Sequence, residues 1–156
     1  MELFDSKRTG FLSFGPYLSS VCGQDGLGNG NYERMRDIYV MFHETLCPPT
    51  GQLSSYAGQF MVSRKRILHN SYKKYEELKL ILEAPLEHWI HSEGSWFTWK
   101  GSTDQGPASN PKGPVSPFFG HALERSWPLI FGCVDPSIAE ICSDEVIDSE
   151  KCQCFD

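Results

Sequence analysis

Long apolar runs are missing from the 156 residues. The longest aliphatic or aromatic stretches, such as Ile38 to Phe42, cover about five residues, where a membrane-crossing helix needs roughly 20. A transmembrane helix is therefore excluded, and no membrane partner is expected. A surplus of positive charge is missing too: 14 Lys and Arg stand against 20 Asp and Glu, a formal net charge of −6. The imbalance sits at one end, because seven acids between Asp135 and Asp156 face Lys151 alone, while the rest of the chain carries 13 of each sign. Such a tail repels phosphate backbones and anionic lipid, and the neutral body has nothing to overcome it, so nucleic acid is not an expected partner.

Sorting signals and cofactor motifs are also scarce. Met1 to Gly10 (MELFDSKRTG) lacks the apolar stretch of about 7–15 residues that a secretory signal requires. The expected location is the cytoplasm, with a secreted or luminal location as the alternative if the chain is a trimmed form of a longer one. The glycine-rich GLGNG at 26–30 is not followed by Lys-Ser or Lys-Thr and lies far from the preceding strand, so it reads as a turn and not as a phosphate cradle. There is no dinucleotide fingerprint, no GxSxG elbow, no HExxH and no internal repeat; no cofactor is expected. His88 and His91 are three apart beside Glu87, close enough on one helical face to share a metal, yet third and fourth ligands at readable spacing are absent and no metal is expected.

What is present describes one folded domain. Hydrophobic residues make up 40% and charged residues 22%, which suits a single core spanning 1–156. Six cysteines (Cys22, Cys47, Cys133, Cys142, Cys152, Cys154) are many for a cytosolic protein. The last four lack the paired CxxC knuckles of a zinc site, leaving disulfides or plain thiols. Twenty aromatic side chains, ten Phe, six Tyr and four Trp, exceed what so small a core needs, and some should line a pocket.

Along the chain, Phe11 to Phe14 predicts a brief strand, followed by a glycine-rich loop. Met35, Ile38, Phe42 and Leu46 predict a helix capped by Asn31 and ended by Cys47-Pro48-Pro49. Tyr56 to Val62 reads as a buried strand, and Ser63 as the cap of a helical segment. Tyr72, Tyr75, Leu78, Leu82, Leu86 and Trp89 give an amphipathic helix that Pro85 divides in two. Residues 101–117 are almost all turn formers, a long loop of the kind that acts as a mobile lid. Phe118 to Phe131 predicts a helix with Phe119, Leu123 and Trp127 or Ile130 inward, and 133–156 forms an acidic, cysteine-rich tail. The fold class is α/β or α+β, a single small domain, helix-rich with a short sheet.

Several side chains are candidates for chemistry. His121 and Glu124, at i and i+3, form an acid/base pair on the polar side of their helix, unless Glu124 and Arg125 hold structural ion pairs instead. His43 flanks the buried stripe as a second acid or base, or as a packed boundary residue. Arg64 can hold an anionic or carbonyl oxygen, or belong with Lys65, Arg66, Lys73 and Lys74 to a solvated face. Trp96, Trp99, Trp127, Tyr56 and Phe60 would order a substrate. By elimination the chain reads as a cofactor-independent acid/base enzyme acting on a small, largely apolar molecule by proton transfer: a cyclase, an isomerase or a lyase of the dehydratase type. The alternative is a non-catalytic, disulfide-stapled binding module. A homo-oligomer is compatible with either.

GQFMVSRKRI (Gly58 to Ile67), ALERSWPLIFG (Ala122 to Gly132) and the closing CQC (Cys152 to Cys154) together resemble the fungal family called domain of unknown function 3431, from about Gly10 to the C-terminus, the last two-thirds of that family's length. Its members show a QF-V-SR-x-I block after a cysteine pair, then a tyrosine-bearing helix, an E-x-x-W-H-x-IFG block and a cysteine-rich end. Gln59, Phe60, Val62, Ser63, Arg64 and Ile67 match the first block; Glu124, Trp127, Ile130, Phe131 and Gly132 match the second. Tyr56 and Ala57 replace the cysteine pair, Pro128 replaces the histidine after the tryptophan, and the family's N-terminal portion has no counterpart here. The resemblance implies a fungal setting, with secondary-metabolite biosynthesis as the context for the enzyme reading. A distant likeness to glycosyltransferases adds to the alternative a remnant of a sugar-transferring enzyme of the secretory route, although no Asp-x-Asp metal motif is present.

Overall fold

A computed structural model describes residues 4–25, 32, 34–56, 58–92, 95, 97, 118–142 and 150–156. The loop expected at 101–117 lies outside the described residues, as do Trp96 and Trp99.

Among the described residues, six short strands make two antiparallel sheets. In the first, β1 (Thr9–Ser13) runs between β5 (Phe60–Val62) and β6 (Cys154–Phe155), with Phe11 opposite both Val62 and Cys154. All five residues of β1 are buried. In the second, β2 (Tyr17–Val21) lies between β3 (Gln24–Asp25) and β4 (Gln52–Ser55), pairing Tyr17 with Ser55 and Ser20 with Gln52. With every described strand pair antiparallel and no parallel βαβ unit among them, the fold is α+β. The expected strand from Tyr56 to Val62 is corrected: its apolar end is β5, while the chain just before Tyr56 is β4 of the other sheet.

Helix α1 (Met35–His43) buries Met35, Ile38 and Phe42. It stops earlier than its periodicity predicts, at Glu44 with φ 58°, whose N–H returns to the Val40 carbonyl. Leu46, the fourth member of the apolar stripe, is 86% exposed, so a further turn would bury nothing. Ser63 caps α2 (Arg64–His69) by accepting the Arg66 N–H at 3.2 Å. In α3 (Tyr72–Leu82) only Leu78 is buried. Tyr72, Leu82, Leu86 and Trp89, expected on the inner face, are exposed; Leu86 and Trp89 leave it because the chain beyond Leu82 departs from the helix and closes in a short 3-10 turn at Trp89–His91.

Helix α4 (Phe118–Ile130) is the central element, packed against both β4 and α1. Phe119, Ala122, Leu123, Ser126, Leu129 and Ile130 form its buried side. Pro128 lies inside it and has no N–H to give the Glu124 carbonyl four residues back. The Ser55 hydroxyl of β4 donates to that carbonyl at 3.2 Å, so the proline costs the helix no unsatisfied acceptor. The helix ends in a Schellman closure: Gly132, with φ +66°, donates to the Leu129 carbonyl at 3.1 Å and Cys133 to the Pro128 carbonyl at 2.8 Å. A short helix, α5 (Ser137–Ile141), then packs on β2 and β4.

The basic side chains divide by what they reach. Arg66 donates to the Phe131 carbonyl (2.7 Å) and the Phe155 carbonyl (2.8 Å), and Asn70 to the Ile130 carbonyl (2.7 Å). Lys74 donates to the Phe42 carbonyl at 2.6 Å and pairs with Glu44 at 2.9 Å, which holds the Glu44 carboxyl below its usual range. These donors close the carbonyl ends of α4 and α1, where helices leave acceptors unfilled and favour positive charge. Arg66 and Lys74 are thus structural, whereas Arg64, Lys65 and Lys73 are exposed.

All six cysteines are paired: Cys22–Cys47, Cys133–Cys154 and Cys142–Cys152. The first ties the end of β2 to the segment after α1, and the other two tie α4 and α5 to the final strand. Among the described residues no helix is long and apolar enough to cross a membrane.

Candidate functional site

The pair expected at i and i+3 on α4 is in place: His121 Nδ1 stands 3.8 Å from Glu124 Oε2. Both side chains are about a third exposed or less, at 27% and 30%. Next to them Arg125 is buried, its Nη1 3.9 Å from Glu124 and 3.3 Å from the His121 carbonyl, to which it donates. Its guanidinium lies 3.7 Å from the centre of the Tyr32 ring and 5.1 Å from that of Tyr56, a stack that holds a desolvated cation over two electron-rich faces. Arg125 Nε makes no hydrogen bond among the described residues. Tyr56, at the end of β4, is 49% exposed. The face therefore combines an open aromatic ring, a buried cation, a carboxylate and an imidazole, all fixed by the packing of α4 on β4.

The other candidates stand elsewhere. His43 stacks on Tyr39, with ring centres 4.3 Å apart, and its Nε2 donates to the Leu129 carbonyl at 2.9 Å. Since a carbonyl only accepts, Nε2 carries the proton. Leu129 is eight residues beyond His121, about 12 Å along the helix, so the two imidazoles are not brought together. Arg64 is exposed at the start of α2, beside the first sheet. Phe60 and Trp127 do meet, with ring centres 5.1 Å apart, inside a stack that includes Phe11 and Phe131. Both are only partly exposed, and they fill the space between the first sheet and α4. Gly58 sits against this stack, where a Cβ would come within 3.1 Å of Trp127 Nε1.

The remaining histidines have structural work or none. His88 Nδ1 accepts the Ile90 N–H at 3.3 Å, and His91 Nε2 donates to the Ala84 carbonyl at 2.8 Å. No cluster of three or more metal-ligating side chains occurs among the described residues. Arg125 is the member of the site that the sequence pattern underrated. Its i+1 relation to Glu124 suggested an ion pair, whereas the stack on Tyr32 and Tyr56 depends on two segments that periodicity cannot bring together. No family model, curated protein or solved structure matches the chain.

Proposed function

We propose that this chain is a disulfide-stapled binding module of an oxidising compartment, such as the secretory route, and that its contact face is Tyr56, Arg125, Glu124 and His121. The observation carrying this reading is that every cysteine is crosslinked, an arrangement that reducing compartments do not maintain. The placement of His43 and Arg64 away from His121 supports it as well, because proton transfer needs its acid and base within reach of one substrate. The ligand class that fits is a sugar ring. The C–H groups of a pyranose lie well on an open tyrosine face, and its hydroxyls take both donors and acceptors from a carboxylate and an imidazole 3.8 Å apart. The likeness of the Gln59 to Ile67 and Glu124 to Gly132 blocks to domain of unknown function 3431 belongs to the same proposal.

Retention of the oxidised chain on a panel of immobilised glycans tests it. A subset of glycans retains the parent, and Tyr56→Ala and Glu124→Gln each weaken retention by about tenfold or more, the worth of one stacking or charge-assisted contact. A chain that binds no glycan, or binds one equally well without Tyr56, overturns the ligand assignment. A second reading, acid/base turnover of a small apolar metabolite, is favoured by the same His121–Glu124 pair. It requires that His121→Ala abolish turnover while leaving the fold intact.

A further inference from the structure

Alongside Phe131, α2 and the final strand line an open recess of about 520 Å³. That size lies within the roughly 300–1,000 Å³ common for small-molecule sites. Its apolar walls are Leu68, Phe131 and Phe155. Leu68 is 66% exposed and Phe155 37% exposed, so carbon surface in the recess faces water. Arg66 lies within it with its two terminal nitrogens on the Phe131 and Phe155 carbonyls; its Nε makes no hydrogen bond among the described residues but stands at ion-pair distance, 3.3 Å, from the Asp156 carboxylate. That leaves Lys65 and His69, four residues apart on one strip of α2. Both are exposed, and neither has a hydrogen bond or ion pair among the described residues. Arg8, which is not among the lining residues, stacks its guanidinium 4.5 Å from the centre of the Phe155 ring.

We propose that this recess binds a small carboxylate with an apolar body, the acid group held between Lys65 and His69 and the body laid against Leu68, Phe131 and Phe155. An apolar surface with an uncommitted ammonium and a neighbouring imidazole donor at its rim selects a ligand that is greasy at one end and anionic at the other. A bare inorganic anion would leave the exposed Leu68 and Phe155 walls wet, and a neutral apolar molecule would leave the donors unused. The site is separate from the glycan face and its test does not depend on that reading.

The test uses the full oxidised chain with 4-phenylbutyrate, 4-phenylbutanol and inorganic phosphate as probes, followed by amide chemical shifts. Phenylbutyrate is expected to move the Leu68, Gly132 and Phe155 signals saturably, with the alcohol about fivefold weaker or more and phosphate without effect. The Lys65→Gln/His69→Gln double variant, altered only at exposed positions, should keep the parent's amide spectrum and lose the acid's advantage over the alcohol. Equal binding of acid and alcohol by the parent overturns the proposal, as do phosphate shifting the same signals, no response to phenylbutyrate, or a double variant that binds the acid as the parent does.

Discussion

Tyr17 is buried at the start of β2, and its hydroxyl accepts the Ser13 N–H at 2.7 Å. Burial pushes its ionisation up from the usual 10.0 to about 12, against a small opposing effect of that hydrogen bond. The unfolded chain therefore ionises this phenol first. Its contribution to stability is complete below about pH 10 and is lost as pH rises through 10 to about 12, by about 2–3 kcal/mol for the full shift. In a phenolate absorbance titration, one of the six tyrosines should titrate near 12, and Tyr17→Phe should remove that step. The same substitution strands the buried Ser13 N–H, and its expected cost at neutral pH is about 1–3 kcal/mol by urea unfolding. Legibility at this scale follows spacing. The His121–Glu124 pair is readable because i and i+3 meet on any helix. The inward roles of Arg66 and Lys74 are not, because the carbonyls they hold belong to helix ends about 30–65 residues away in sequence.

The proline in α4 and the serine in β4 form a coupled unit. Ser55→Ala leaves the Glu124 carbonyl without its donor and should cost about 1 kcal/mol. Pro128→Ala supplies an N–H at the position where a helix normally fills that carbonyl, so Ser55→Ala should cost measurably less in the Pro128→Ala background. Equal cost in both backgrounds, measured as a double-mutant cycle, would contradict the compensation. Helices α1 and α4 are visible in the sequence because their apolar residues recur every three or four positions. Strands β2 and β4 are not, because serines fill positions that alternation reserves for apolar side chains. Ser20 and Ser54 are buried and share a hydrogen bond at 2.7 Å, and Gln52 is buried while accepting the Cys22 N–H at 2.9 Å. Polar residues that satisfy one another inside carry no hydrophobic period. The outward turn after Leu82 is likewise hidden, since Leu86 and Trp89 continue the helical spacing yet end in water.

For the molecule as a whole, three crosslinks close loops with sequence separations of 25, 21 and 10. By chain entropy each stabilises the fold by about 3 kcal/mol, a large share of the roughly 5–15 kcal/mol typical of a domain. The Cys133→Ser/Cys154→Ser variant should lose about that amount and show faster amide exchange in β6, the edge strand that this bond and the Arg66 clamp keep beside β1. A single small domain mixing helices with a short sheet is legible from length and pattern, whereas the choice between α/β and α+β is not, because it rests on antiparallel pairings between strands distant in sequence. The cysteine pairing is not legible either, because spacing leaves every combination open until the two sheets and α4 place the sulfurs next to one another. The proposed stapling of a binding module in an oxidising compartment is tested by peptide mapping of the unreduced chain, alkylated in its native host before lysis. The expected result is no alkylated cysteine and three linked peptide pairs, Cys22 with Cys47, Cys133 with Cys154 and Cys142 with Cys152. Six alkylated cysteines, or a different set of pairs, would contradict it.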